Sequence, residues 1–162
     1  MKIREVVFYG RRNTGLYILA YLVAKGYAVK VVSDDPHILA LADNLGLRIV
    51  NFETMGKFDL FICCHGNKII AEKFLVPGKF INIHPCLYKY KGHNPIKRFL
   101  ENKDGSGSVE SQFMVAEVDA GEIIHSEYFE TPAVTTFAEY YNIAVPYYFR
   151  CIEKTMEKLH RR

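Results

Sequence analysis

The chain has 162 residues, which is the size of one domain. Hydrophobic residues make up 49% and charged residues 24% of it, a balance typical of a globular protein that excludes a disordered, collagen-like or coiled-coil chain. The net charge is +3, and the sequence contains no run of five like charges. Nucleic acid is therefore not expected as a partner, whereas small anionic ligands are compatible with this charge.

The cysteines and the first residues bear on metal binding and location. The chain contains four cysteines: Cys63, Cys64, Cys86 and Cys151. Their spacing fits neither a metal site nor a disulfide framework, so we expect buried thiols and no metal. We see no signal peptide and no apolar stretch of membrane-spanning length, and therefore expect a cytoplasmic protein without membrane contact.

The first half of the chain alternates strand and helix patterns. The patterns predict strand 6–9, helix 16–25, strand 28–32, helix 37–45, strand 47–52, strand 58–64 and strand 80–84. Asp35 and Pro36 fit the start of the second helix. The apolar run 58–64 is typical of a strand buried on both faces of a parallel sheet. We therefore predict an α/β fold with a single doubly wound, mostly parallel sheet and helices on both faces.

The second half has a different pattern. It predicts helix 95–101, a flexible turn at 103–108, strands 109–115 and 122–129, and a helix from 136 to about 159. Thr136 and Glu139 fit a capping box, and Pro146 is expected to kink this last helix. Its many aromatic residues indicate either packing over the sheet or a homodimer interface. We expect one catalytic domain over 1–162 without a C-terminal accessory domain.

The segment after the first strand is a candidate anion site. It lies between a strand and a helix, where backbone amides attract phosphate or carboxylate. Arg11 and Arg12 add cationic donors next to Asn13. The segment lacks the second glycine of a dinucleotide-binding turn, so NAD is not expected. A solvated turn is the alternative interpretation.

Asn82 and His84 point to carbonyl chemistry. Residues two apart on a strand face the same side, and a polar pair at the end of a central strand must be satisfied or used. An amide that donates to a developing oxyanion and an imidazole that moves protons suit addition to a carbonyl group. A structural asparagine with a capping histidine is the alternative. Asp119 lies in a loop of small residues and is expected to raise the pKa of the histidine, to orient it or to position a water, and a simple turn is the alternative.

These residues stand in runs that resemble a known family. The runs FINIHP at 80–85, KG at 91–92 and VDAG at 118–121 are similar to those of the formyltransferases, and the resemblance extends over about 6–124. Members of that family transfer a formyl group from 10-formyltetrahydrofolate to an amine. The resemblance implies that Asn82, protonated His84 and Asp119 are the catalytic residues.

The resemblance also implies where the folate binds. Its pterin is expected against the backbone of the loop 65–70 and of the segment 117–119, with Ile69 and Ile70 as walls of the pocket and no metal required. The cofactor-binding residues implied in this way are His65, Gly66, Lys68, Ile69, Ile70, Glu117 and Val118.

The acceptor is harder to assign. The run KGHNP at 91–95 resembles the sugar N-formyltransferases, which implies an amino-deoxysugar nucleotide as the acceptor, and no second domain that would bind tRNA is expected. The residues assigned to this phosphorylated acceptor are Arg11, Arg12, Asn13, Lys91 and Asn94. The alternatives are glycinamide ribonucleotide as the acceptor, hydrolysis of formyltetrahydrofolate, and a non-catalytic folate- or nucleotide-binding module.

The chain departs from the family pattern at four places, one of which is the arginine-rich segment after the first strand, where the purine enzyme has small residues. The segment 84–92 is one residue short, Gln112 stands where a histidine is common, and no crossover helix is visible between Phe52 and Phe58. These departures affect the expected acceptor more than the expected reaction.

Overall fold

The computed structural model describes residues 2–162. In chain order they form β1 (Glu5–Gly10), α1 (Arg12–Ala24), β2 (Ala28–Val32), α2 (Pro36–Asn44), β3 (Arg48–Ile49), β4 (Leu60–Cys64), a 3-10 helix (Glu72–Phe74), β5 (Phe80–Pro85), α3 (Pro95–Glu101), β6 (Ser106–Phe113), β7 (Ile123–Glu130) and α4 (Phe137–Arg161). The strands form one sheet in the order β3-β2-β1-β4-β5-β6-β7. β1 to β5 are parallel, and β6 and β7 are antiparallel to their neighbours. The predicted class, a mostly parallel α/β sheet, is confirmed.

The two faces of the sheet are covered differently. Alternate residues of β1 point to opposite faces, so that Val6 and Phe8 belong to one core and Val7 and Tyr9 to another. All four α-helices contribute to the first core. The second core is closed by the segment 50–58 and the 3-10 helix. The prediction of helices on both faces is therefore corrected: the α-helices share one face, because the chain between β3 and β4 is too short for a crossover helix.

Several predicted boundaries were wrong. α1 begins at Arg12, so most of the predicted turn 11–15 is the first turn of the helix. Strand 47–52 is reduced to the two edge residues of β3. β6 begins at Ser106 inside the predicted flexible turn, because Gly107 lets Phe129 pack closely against the strand: a Cβ there would lie 2.7 Å from the ring.

Helix capping was predicted well. Asp35 Oδ1 accepts hydrogen bonds from the backbone N of His37 (2.9 Å) and Ile38 (3.4 Å) at the start of α2. Thr136 and Glu139 form the predicted capping box of α4. These side chains satisfy backbone N–H groups that have no partner within the first turn of a helix.

The aromatic residues of α4 pack largely within the chain. Tyr140 and Tyr148 are fully buried, and Phe149 contacts the rings of Tyr17 and Tyr21 in α1. Phe137 is 47% exposed. The surplus of aromatic residues that suggested a homodimer is thus mostly used inside the chain, and the homodimer stays a prediction.

All four cysteines are buried and free. Within residues 2–162 there is no helix with the length and hydropathy needed to cross a membrane, and no group of three acidic, histidine or cysteine residues arranged to hold a metal ion.

Candidate active site

The candidate site lies at the carboxyl end of β5, on the face opposite the α-helices. Ile81 and Ile83 belong to the helix-covered core, so Asn82 and His84 point to the other face. His84 is only 9% exposed. Two polar side chains are thus held at the end of a buried strand, where each needs a partner.

Asp119 is the partner of both. β6 is antiparallel to β5, so the end of β6 lies beside the beginning of β5. The loop 114–122 therefore folds back along the sheet and brings Asp119 to the carboxyl end of β5. The Nδ2 of Asn82 donates to Asp119 Oδ1 at 3.4 Å, and the Nε2 of His84 lies 3.2 Å from Oδ2. The three side chains that the sequence analysis assigned to catalysis are therefore in contact.

Two shorter hydrogen bonds fix the Asp119 carboxylate. The Nε2 of Gln112 donates to Oδ1 at 2.7 Å, and the backbone N of Gly92 donates to Oδ2 at 2.7 Å. The loop itself depends on Gly121, because a Cβ there would lie 1.7 Å from the carbonyl oxygen of Phe113. The carboxylate is thus anchored by short bonds and faces Asn82 and His84 through longer ones.

The protonation of His84 follows from its surroundings. Both groups near its Nε2, the Asp119 carboxylate and the Gly92 carbonyl at 3.4 Å, are acceptors, so this nitrogen carries a proton. Burial lowers the pKa of His84, and the attraction of Asp119 opposes this shift only in part. Burial thus favours the neutral imidazole, whereas the family resemblance implies a protonated His84, and the protonation state of His84 stays a prediction.

Strained backbone is concentrated around this site. Five non-glycine residues of the surrounding loops have positive φ: Arg12 (63°), His65 (59°), Cys86 (53°), Asn94 (51°) and Asp119 (54°). This conformation is costly for residues with a side chain and clusters at functional sites.

The predicted folate loop is fixed by a buried tyrosine. Tyr9 Oη donates to Asn67 Oδ1 at 2.6 Å and accepts from the backbone N of Asn67 and of Lys68, both at 3.1 Å. Gly66 packs on the same ring, since a Cβ there would lie 2.4 Å from Tyr9. The loop 65–70 is therefore anchored to β1.

The side chain of His65 packs against α4. Its Nε2 lies 2.9 Å from the Tyr148 hydroxyl, and its ring packs against Tyr141 and Tyr148 of α4. Burial lowers the pKa of His65 to about 3, with a smaller contribution from Arg12. The side chain anchors the loop to α4, so only its backbone remains for a ligand.

The other residues assigned to folate differ in exposure. Ile70 is buried in the second core, whereas Ile69 is 83% exposed. Glu117 is exposed, and Val118, next to Asp119, is 54% exposed. Ile69 and Val118 are the apolar side chains of this group that are open to a ligand.

The residues assigned to the acceptor are not all brought together. Arg11 forms an ion pair with Asp34 (Nε to Oδ1, 2.9 Å). The backbone N of Arg12 donates to Asp35 Oδ2 at 2.9 Å, so a carboxylate already lies at the start of α1. Asn13 is exposed in the first turn. The guanidinium of Arg12 lies near the Tyr141 hydroxyl and favours its ionised form, although burial raises the pKa of Tyr141 overall to about 12.

Lys91 and Asn94 lie on the loop that follows β5. Lys91 lines a cavity of about 160 Å³ together with Asp119. Asn94 precedes the first turn of α3. A larger cavity of about 500 Å³ lies near the amino end of β5, is lined by Leu75, Met114 and Arg162 among others, and includes none of the assigned site residues.

Sequence reasoning missed three contributors to this site: the Tyr9 hydroxyl, the Gly92 backbone and the Gln112 amide as a donor to Asp119. A signal existed for Gln112, because Glu110 and Gln112 are alternate polar residues on a strand that is otherwise buried. In the sheet they pair with His84 and Asn82. The Gly92 contact had no local signal, since it depends on the path of two loops.

The sequence can be placed among known proteins at this point. The model of the family described as formyl transferase matches residues 49–144, more than half of the chain. The chain belongs to the formyl transferase family. A methionyl-tRNA formyltransferase of Borrelia turicatae is 30% identical to it over 121 residues, which cover 70% of this chain and 39% of that protein. The chain thus spans about two fifths of the length of this relative.

Solved structures share the fold of this chain. An N-formyltransferase of Helicobacter canadensis, in complex with folinic acid and dTDP-3-aminofucose, superposes with a TM-score of 0.85 at 18% identity over 98% of this chain and 65% of that one. A phosphoribosylglycinamide formyltransferase of Streptococcus pneumoniae gives a TM-score of 0.80 at 18% identity over 98% and 99% of the two chains. Identities this low support the common fold alone.

Proposed function

We propose that the chain transfers the formyl group of 10-formyltetrahydrofolate to a primary amine of a small phosphorylated acceptor, and that this acceptor is an amino-deoxysugar nucleotide. The observation that carries the proposal is the contact of Asn82 and His84 with one anchored carboxylate, Asp119. Family membership supports the reaction class.

The chemistry uses hydrogen-bond donors that the site already holds. The unprotonated amine attacks the formyl carbon, and the carbonyl oxygen becomes an oxyanion. The N–H groups of Asn82 and His84 stabilise this oxygen. Each gives up its long contact with Asp119 and donates a hydrogen bond to the oxyanion instead. The bond between the formyl carbon and N10 of the folate then breaks. N10 gains one proton as the amine loses one, and Asp119 relays it directly or through a water.

The acceptor is argued from charge and from the comparison. Arg12, the first residue of α1, supplies positive charge for a phosphorylated ligand, and Lys91, on the loop after β5, lines the cavity beside Asp119. The Helicobacter canadensis protein is described with an amino-sugar nucleotide and a folate bound together. Exposed Ile69 and Val118 offer apolar surface for the pterin.

Methionyl-tRNA is the second candidate acceptor. The curated relative at 30% identity is a methionyl-tRNA formyltransferase, although this chain covers 39% of it. A chain that formylates methionyl-tRNA requires a surface for the tRNA, and the expectation that nucleic acid is not a partner stays a prediction, as does the single domain over 1–162.

The test is an acceptor panel. Formation of tetrahydrofolate from 10-formyltetrahydrofolate is followed with dTDP-3-aminofucose, glycinamide ribonucleotide, methionyl-tRNA or no amine. We expect turnover with the amino-sugar nucleotide, and its loss in His84→Ala but not in His37→Ala, an exposed histidine on α2. Turnover without amine would indicate hydrolysis. Donor binding by calorimetry without turnover would indicate a binding module.

A further inference from the structure

A small cavity adjoins the candidate active site on the face opposite the helices. It has a volume of about 160 Å³ and shares Asp119 with the site. Its other polar residues are Glu110 of β6, Ser126 of β7 and Lys91. The roles proposed above use Asp119 and Lys91 but leave Glu110 and Ser126 without a function.

Glu110 is the unusual member of this lining. It is 1% exposed, it pairs with His84 across β5 and β6, and it pairs with Ser126 across β6 and β7. Residues that pair directly in an antiparallel sheet point to the same face, so the carboxyl lies on the same face of the sheet as His84. Burial raises the pKa of Glu110.

One oxygen of Glu110 is engaged and the other is not. Oε2 accepts a hydrogen bond from the backbone N of Leu87 at 2.9 Å. The Ser108 hydroxyl and the backbone N of Tyr88 are close enough to favour the charged carboxyl, yet neither Ser108 Oγ nor Glu110 Oε1 has a hydrogen-bond partner of good geometry. An acceptor oxygen held in place beside a cavity without a partner is costly unless a ligand satisfies it.

We propose that this cavity binds a hydrogen-bond-donating substituent of the acceptor, a hydroxyl or amino group on its sugar ring, with Glu110 Oε1 as the principal acceptor. The assignment rests on the proposed function and makes Glu110 a specificity residue of the same site. Asp119, at the wall between the cavity and His84, places the bound ring next to the reacting groups.

The electrostatics and walls of the cavity fit this class of group. Glu110 and Asp119 outnumber Lys91 in the cavity, so their charge disfavours a phosphate there. The phosphate is expected at the arginines next to α1 instead. Tyr88 and Tyr128 lie edge to face at 5.5 Å and line the cavity, and both are substantially exposed. The combination of carboxyl oxygens and apolar ring surface matches the hydroxyl and C–H groups of a sugar ring.

Glu110→Gln is the test because it keeps the size of the side chain. Leu87 N requires an acceptor, so the amide oxygen of the glutamine takes that position and its NH2 group faces the cavity. The variant thus replaces an acceptor with a donor where the ligand donates. Calorimetry with dTDP-3-aminofucose and with dTDP, which lacks the amino sugar, isolates the contribution of the ring.

We expect the Kd of dTDP-3-aminofucose to rise about tenfold or more in Glu110→Gln, while the Kd of dTDP stays unchanged. The control is Glu127→Gln, because Glu127 pairs with His125 and Arg150 away from the cavity. If Glu110→Gln does not fold, Ser126→Leu, which fills the cavity from β7, must show the same selective loss.

Each other outcome overturns the assignment. Unchanged affinity for dTDP-3-aminofucose, or an equal loss for both ligands in a folded variant, removes Glu110 from recognition but leaves formyl transfer standing. If the wild-type protein binds neither ligand, the proposed acceptor class fails first and the cavity assignment fails with it. The acceptor panel then shows whether formyl transfer survives with another amine.

Discussion

The position of the Asp119 carboxylate is fixed by contacts with residues outside its own loop. Gln112 and the Gly92 backbone anchor it at 2.7 Å, and Asn82 and His84 contact it at longer distance. A carboxylate fixed in this way needs little reorganisation when charge develops nearby. The orientation of Asp119 is therefore expected to matter as much as its presence.

Gln112 provides a direct test of that orientation. In Gln112→Leu the carboxylate loses its side-chain donor, and we expect kcat to fall about 10- to 100-fold while KM for the folate changes little. Gln112→His should recover most of the activity, because an imidazole N–H can donate in the same direction. Steady-state kinetics with saturating acceptor measures this, and equal kcat values for the leucine variant and wild type would remove Gln112 from the site.

The pH dependence of activity reports the protonation of His84. Because burial lowers the pKa of His84 from the usual 6.5, the neutral imidazole is the favoured form at and above pH 6.5. We expect kcat/KM to be flat from pH 6.5 to 8 and to fall on the acid side with a midpoint below 6.5. The free energy of unfolding should also fall as the pH drops from 6.5 through this pKa, since the unfolded state then binds more protons.

A pH profile measured on wild type and on His37→Gln checks this assignment. His37 is an exposed histidine, so its replacement should leave the acid limb in place. A kcat/KM that instead falls as the pH rises between 6.5 and 8, and does so in His37→Gln as well, would show that protonated His84 is the active form and would contradict the account.

At the scale of elements, β1 and α4 hold the predicted folate loop from two sides. The Tyr9 hydroxyl makes three hydrogen bonds to residues 67 and 68, and His65 contacts Tyr148. The loop is thus preorganised, which lowers the entropic cost of binding a ligand.

Tyr9→Phe removes one side of this support without emptying the core. We expect the backbone amides of Asn67 and Lys68 to exchange with solvent faster, the KM for 10-formyltetrahydrofolate to rise several-fold, and the free energy of unfolding to fall by about 1–2 kcal/mol. Tyr17→Phe, on the exposed side of α1, serves as the control. Unchanged KM with faster amide exchange would show that the loop does not contact the donor.

The elements that were predicted correctly carry strong local signals. The buried apolar run of β4, the Asp35-Pro36 start of α2 and the capping box at Thr136 each specify their structure within a few residues. α1 began earlier than predicted and β6 was longer, because Gly15 and Gly107 are there to allow close packing with Ile38 and Phe129 rather than to form turns. A glycine in a sequence can indicate either a turn or a close packing contact, and only the fold distinguishes the two.

At the scale of the whole molecule, the sequence predicted the three side chains that meet at the candidate site but not the residues that support them. Asn82 and His84 were readable from alternation on one strand, and Asp119 entered through a resemblance of motifs. The fold-back of the loop 114–122, the burial of His65 and the placement of all α-helices on one face depend on contacts between distant segments. No local pattern encodes these contacts.

The residues of the proposed chemistry lie on the face of the sheet that no α-helix covers. The second core there is small and is closed by loops, which leaves room beside Asn82 and His84. Because loops open more easily than packed helices, this face is suited to admit two substrates.

The most direct test of the central claim follows the formyl carbon itself. With 10-formyltetrahydrofolate labelled with ¹³C in the formyl group and the acceptor panel present, wild type should move the label into an N-formyl product detected by NMR. Asp119→Asn should still bind the donor by calorimetry but leave the label on it. A label that stays on the folate in wild type, or that moves equally fast in Asp119→Asn, would contradict the account.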